Sequence, residues 1–262
     1  MQNLRKVSLA ILLSIVLLLW IQAPAQAFKV NIHEAITKEA LAAVHPIVGS
    51  EKLQFSEAAI RQIVFANKDT DQLVNQFNSE KHFDGEDFSG GSQRLIQLKE
   101  QTIAKVTKEE PSAFSPQTDL GGALHTVQDF YAHSNWVNLG HSSTDINPQL
   151  GRKTFSGADR ATPTCPNNPS TLGDAGLREL TSGYFSFTAR VIPSCNVPPG
   201  KCRHGLLLVC PAGINKDDDS QPGFSAARAL AVEASKDFLN QIFSDSRVAG
   251  NAQAIKLLLG IS

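Results

Sequence analysis

Excess positive charge is missing from this sequence: 24 lysines and arginines face 25 aspartates and glutamates, a formal charge of −1, and the basic residues are dispersed. Proteins that grip nucleic acid through its phosphates need a basic face, so nucleic acid is disfavoured as a partner. No internal repeat occurs, and no low-complexity tract beyond Asp217, Asp218 and Asp219, which removes repeat arrays from the candidates. Long apolar runs are lacking too. The longest, at 7–21, falls short of the roughly 20 residues of a membrane-spanning helix. It follows Arg5 and Lys6 and precedes Ala-Pro-Ala-Gln-Ala at 23–27, the plan of a cleavable signal peptide. Residues 1–27 are therefore expected to be removed. The mature chain, 28–262, then begins at Phe28 and carries a formal charge of −3, because Arg5 and Lys6 leave with the leader. Its length suits a single domain with one sizeable core. A secreted or periplasmic location is expected.

Cysteine is scarce and confined to one stretch: Cys165, Cys195, Cys202 and Cys210. Paired C-x-x-C units are absent, which argues against a thiolate zinc site. In an exported chain two disulfides are the natural expectation, with the pairing left open.

What is present is helical periodicity. Ile32, Ile36, Ala40, Leu41 and Val44 recur at helical spacing behind Asn31, and Pro46 ends that helix. Ser56 is placed to cap a second helix running to Asn67. A polar, ligand-rich loop is expected over 67–91, holding Asp69, Asp71, His82 and Asp84. A third helix is expected over 93–107, and a fourth from Thr118, with Leu120, Leu124, Val127, Phe130 and Tyr131 on its apolar side. Residues 138–219 read as an irregular excursion pinned by disulfides, with one helix over 177–187 and, as an alternative to wholly irregular chain, a small hairpin around 206–209. Helices over 225–243 and 247–259 close the chain. The fold class is all-α, a compact helical domain with metals bound between helices.

Chemistry gathers on the fourth helix. His125, Asp129 and His133 are four apart, so each is offset by about 40° around the axis and the three make a slowly turning row. Zinc favours such nitrogen and oxygen donors. Further donors stand in separate segments, His33 on the first helix and Asp69, Asp71 and His82 in the polar loop. His45 and His141 read as surface residues, although His141 with Asp145 repeats the H-x-x-x-D spacing.

The stretch Gly-Gly-Ala-Leu-His-Thr-Val-Gln-Asp-Phe-Tyr-Ala-His-Ser-Asn-Trp at 121–136, continuing to Gly140, resembles the signature of the Het-C heterokaryon-incompatibility family. That family is distantly related to zinc-dependent phospholipase C and the fungal single-strand nucleases. Segments at 32–41, 66–71, 82–84, 180–185, 201–205 and 213–217 extend the resemblance along most of the mature chain. It implies zinc held by the amine and carbonyl of Phe28 with His33, by Asp71 and His82 with Asp69 as a substitute, and by His125 and Asp129, the last bridging two metals. Two zinc ions are implied. The third position departs from the relatives, because the next histidine, His133, lies four residues beyond the aspartate where they have six. His204, or His141 with Asp145, stand as replacements there, and Glu233 as a further candidate.

The function this implies is phospholipase C-like hydrolysis of a phosphate ester by metal-activated water. Asp129 would hold the metals, and Asp69 or Asp84 would take the water proton or a hydrogen bond. The expected substrate is a phospholipid headgroup ester, met in transient membrane contact by a monomer. Two alternatives stand beside it. One is a non-catalytic, zinc-stabilised interaction module. The other is a single-strand nuclease or nucleotidase, with Phe83, Phe88, Tyr131 and Trp136 as stacking surfaces.

Overall fold

The computed structural model describes residues 28–72, 74–76, 78–107, 115–188, 192–205, 210 and 212–261. The expected leader at 1–27 and the hairpin expected around 206–209 lie outside these residues. Among the described residues the helices run α1 (Val30–Ala43), α2 (Glu57–Asp69), α3 (Ser79–His82), α4 (Phe88–Thr107), α5 (Pro116–His133), α6 (Phe224–Phe243) and α7 (Ala252–Leu259). Strands among the described residues form two antiparallel pairs, β1 (Ile47–Val48) with β2 (Glu51–Lys52) and β3 (Ser186–Thr188) with β4 (Ile192–Ser194). The all-α expectation holds. No helix among the described residues is long and apolar enough to cross a membrane.

The centre of the molecule is α5. Ser115 caps it by accepting from the Thr118 amide at 3.3 Å, and Pro116 opens it, where a missing N–H goes unmissed. From Leu120 onward the helix is buried on every side, packed against α2, α4 and α6. Leu120, Leu124, Val127, Phe130 and Tyr131 join the main core as their spacing predicts. Phe130 meets the rings of Phe83, Phe88 and Phe155 edge-on at 5.3, 6.2 and 5.8 Å, an arrangement aromatic quadrupoles favour. Gly121 lets α2 approach closely, for a Cβ there would overlap the Ile63 carbonyl oxygen. Ser56 caps α2 by accepting from the Ala59 amide at 3.1 Å, as its sequence position predicts.

Three expected elements differ, the simplest being the last helix, which begins at Ala252 rather than at 247. The 67–91 stretch is not one loop: α2 continues to Asp69, α3 and a 3-10 turn (Asp84–Glu86) intervene, and α4 begins at Phe88. Asp87 makes that early start possible by accepting from the Gly90 amide at 3.0 Å. The helix expected over 177–187 is absent, since the backbone there bonds elsewhere. Ser182 bridges to Ser134, Tyr184 bridges to Arg203, and the Thr181 amide donates to the Asn135 side chain at 2.8 Å.

The excursion at 138–219 is closed by Cys165–Cys202 and Cys195–Cys210, the two disulfides anticipated. Its own apolar cluster is small: Cys165, Cys202 and Ile214, with Leu172 against them. Leu150, with Ile146, Phe155 and Leu180, ties it to the main core, and polar contacts add to the attachment. Glu86 accepts from Thr181 at 2.6 Å and Tyr184 at 3.0 Å and pairs with the buried Lys201 at 2.7 Å.

Candidate metal centre

Four elements bring the predicted donors together inside the bundle. His33 comes from the first turn of α1, Asp71 from the turn after α2, His82 from the end of α3, and His125 and Asp129 from adjacent turns of α5. All five are buried, with exposures of 0–4%. Asp129 faces two ways. Its Oδ1 lies 3.1 Å from His33 Nε2, while its Oδ2 lies 2.9 Å from His125 Nε2 and 2.8 Å from His82 Nδ1. Asp71 sits on the other side, 3.6 Å from His125 Nε2 and 4.0 Å from His33 Nε2, and neither of its oxygens makes a hydrogen bond.

Partners behind the donors fix their orientation. His33 Nδ1 donates to Gln128 Oε1 at 2.6 Å, which turns Nε2 toward Asp129. Gln128 is held in turn, because its oxygen also accepts from Asn67 and its amide donates to Thr37 at 3.0 Å. Metal-binding histidines are oriented in this way by a hydrogen bond to their other ring nitrogen. The sequence reading missed Gln128, Asn67 and Thr37 as supports; the buried polar positions on faces facing α5 were the signal that could have found them.

A second gathering lies beside the first. Asp84, His133 and His204 place ligand atoms within 4.8 Å of one another, and Asp217, which sequence reasoning did not single out, completes the set. The chain reaches this geometry through a tight left-handed turn. Phe83 and Glu86 have φ of 55° and 62°, a conformation that non-glycine residues adopt only under constraint, and Gly85 between them has 61°. That turn swings Asp84 back to 3.1 Å from His133 Nδ1. Between the two gatherings is a cavity of about 10 Å³ lined by Asp71, His82, Asp84, His133, His204 and two further residues. It has room for one water or one ion.

The electrostatics are those of tightly opposed charges. Burial pushes the Asp71 carboxyl up to about 7, despite neighbouring imidazoles. Burial also takes His125 down to about 3, with His33 and His82 adding to the shift. Burial works against the charged forms of Asp129 and His133 as well, yet their partners win: His125 and His133 hold Asp129 well below the ordinary carboxylate range, and Asp84 and Asp129 hold His133 well above the ordinary imidazole range. His33 is raised by Asp129 and Asp71 against the effect of burial.

Other expected residues stand apart. Asp69 is exposed at the end of α2 and is not among the gathered donors, so a proton-accepting role at this centre is not supported by its position. His45 is exposed. His141 bonds Asp145 at 2.5 Å and stacks on Trp136 on the surface, and Glu233 pairs with Lys236 at 2.8 Å. None of these reaches the centre. Phe28 is buried with its ring edge-on to His33, 5.7 Å between centroids.

Fold and site together define an all-α domain built around a buried cluster of imidazoles and carboxylates. The chain belongs to the family of the VWA7 N-terminal domain, whose family model matches residues 35–252. It is 36% identical over 191 residues to von Willebrand factor A domain-containing protein 7 of Homo sapiens and 36% identical over 195 residues to that of Mus musculus. The Rattus norvegicus protein of the same name is 37% identical over 193 residues. Each alignment covers 68% of this chain and 20% of the relative, so the chain spans about a fifth of the length of the curated relatives it matches. No solved structure matches.

This family assignment corrects the Het-C resemblance and, with it, the expected phospholipase C-like or nuclease-like hydrolysis and the hydrolase class drawn from it. The physical reason is that an H-x-x-x-D-x-x-x-H row reports a buried polar stripe on a helix, and such a stripe carries no information about a substrate.

Proposed function

We propose that this chain is an exported, cation-binding module whose helices hold divalent metal, zinc by its donor types, at His33, Asp71, His82, His125 and Asp129. The observation that carries the reading is Asp71: a carboxylate 4% exposed, with both oxygens free of hydrogen bonds and histidine nitrogens at 3.6 and 4.0 Å. Buried carboxylates without partners are costly, and a cation among them removes the penalty. Asp129, with one oxygen toward His33 and the other toward His82 and His125, is arranged to bridge two ions. Zinc binds nitrogen and oxygen at about 2.0–2.2 Å, so ions here would tie α1, α3, α5 and the turn after α2 into one unit. The role assigned is structural, because ions at these donors would join elements that lie far apart in the chain. The expected leader and the two disulfides support export to an oxidising compartment.

Zinc titration against a chromophoric chelator tests this, on protein exported under its own leader so that no tag precedes Phe28. Tight uptake that is lost in Asp71→Asn and His125→Gln is the expected result. Uptake no stronger in the wild type than in those variants would overturn the reading.

A further inference from the structure

We propose that Asp84, His133, His204 and Asp217 form a second, separate cation site of two histidines and two carboxylates, and that its ion fastens the disulfide-pinned excursion to the helical bundle. The proposal rests on the reading that the chain takes up divalent cations, but on donors that the first cluster does not use.

The tautomers of both histidines follow from their neighbours. His133 Nδ1 donates to the His82 carbonyl at 2.7 Å, and His204 Nδ1 donates to the Gly205 carbonyl at 2.5 Å. A carbonyl only accepts, so each Nδ1 carries a proton, and Nε2 is the nitrogen through which each ring would meet an ion. Both Nε2 atoms face Asp217, and that of His204 faces Asp84 as well. His133 Nε2 is 3.6 Å from Asp217 Oδ1, and His204 Nε2 is 3.9 Å from Asp84 Oδ1 and 4.0 Å from Asp217 Oδ2. These separations are too long for hydrogen bonds. They are close to the spacing of about 3.3 Å between ligands placed tetrahedrally at zinc distances. His133 Nε2, Asp84 Oδ1 and Asp217 Oδ1 are buried and make no hydrogen bond. Asp84, His133 and His204 are 8%, 1% and 2% exposed.

The placement of the four donors gives the ion its task. Asp84 and His133 belong to the bundle side, on the left-handed turn and the last residue of α5. His204 and Asp217 belong to the excursion, His204 two residues beyond Cys202 of the Cys165–Cys202 disulfide and Asp217 in the stretch that leads to α6. Among the described residues of 195–219, only Cys202 and Ile214 join an apolar cluster, the small one of the excursion itself. A segment with so small a core needs staples, and a metal shared with the bundle is one.

The test uses wild type, His204→Ala and the near-isosteric Asp217→Asn, each stripped with chelator and reloaded with zinc. Zinc content and peptide-resolved hydrogen exchange are read, with far-UV circular dichroism to establish that the variants are folded. In the wild type, zinc is expected to slow exchange in peptides from 195–223 at least tenfold while α4 and α7 change little. Each variant should bind one zinc fewer and lose that protection, while keeping the zinc that Asp71→Asn abolishes. Variants that retain the full zinc content, or zinc uptake that leaves the excursion's exchange unchanged, would overturn this site alone. A wild type that takes up no zinc would overturn it together with the first cluster.

Discussion

Replacing Asp129 by asparagine keeps the side chain's shape and removes the charge on which three imidazoles converge. Its oxygens lie 2.8, 2.9 and 3.1 Å from nitrogens of His82, His125 and His33, all inside the protein. In cation-free protein Asp129 and Asp71 raise His33, while His125 and His133 foremost, with His33, lower Asp129, each against burial, so Asp129 stands opposed to the imidazoles around it. Breaking a buried pair by removing one partner costs about 3–5 kcal/mol. That is a large part of the roughly 5–15 kcal/mol that holds an ordinary domain together. Zinc should widen the difference. At free zinc 100 times its Kd the wild type gains about 2.7 kcal/mol by mass action, while the variant, lacking the bridging carboxylate, gains little. Urea unfolding at pH 7, followed by circular dichroism with chelator and with zinc, measures both quantities. His125→Gln removes a ring that burial keeps neutral, so it offers the same zinc comparison with less damage to the cation-free fold. An Asp129→Asn protein as stable as wild type in chelator, or one that gains as much from zinc, would refute the reasoning.

Three further outcomes follow from other parts of the molecule. Glu86→Ala leaves the buried Lys201 without its carboxylate and removes the acceptor of Thr181 and Tyr184, so unfolding free energy should fall by about 3–5 kcal/mol whether or not zinc is present. Gly121→Ala places a methyl group against the Ile63 carbonyl and should destabilise the α2–α5 contact by about 1–3 kcal/mol, read as a lower urea midpoint with unchanged slope. Asp237 is opposed by burial but held below its ordinary range by Arg152, at 2.7 and 2.8 Å, and by Gln241. A lowered folded value means its contribution is complete above the unfolded value of about 3.9 and is lost as pH falls through the folded one. The pair is part-exposed, so Asp237→Asn should cost no more than about 1 kcal/mol at neutral pH and flatten the loss of stability below about pH 4.

Much of the helical frame was legible because its signals are local. Ser56 reads as a cap from its neighbours, and the apolar side of α5 follows from spacing alone. The gathering of His33, Asp71, His82, His125 and Asp129 was anticipated from donor supply, yet what it serves was read from a family resemblance that the VWA7 assignment replaces. Elements set by distant contacts were not legible. Residues 177–187 lack a helix because Ser182 and Tyr184 pair with Ser134 and Arg203, partners far away in sequence. The early start of α4 depends on Asp87 capping across a glycine pair that reads as loop. Asp217 looked like part of an acidic run, and only the return of the excursion to α5 sets it opposite His133.

Metal content decides the central point. Protein exported under its own leader, purified without added metal or chelator and then dialysed against buffered trace zinc, should carry at least one tightly held zinc per chain by elemental analysis. Asp71→Asn treated in parallel should carry less. Wild-type protein that retains none would contradict a cation-holding role for the buried histidines and aspartates.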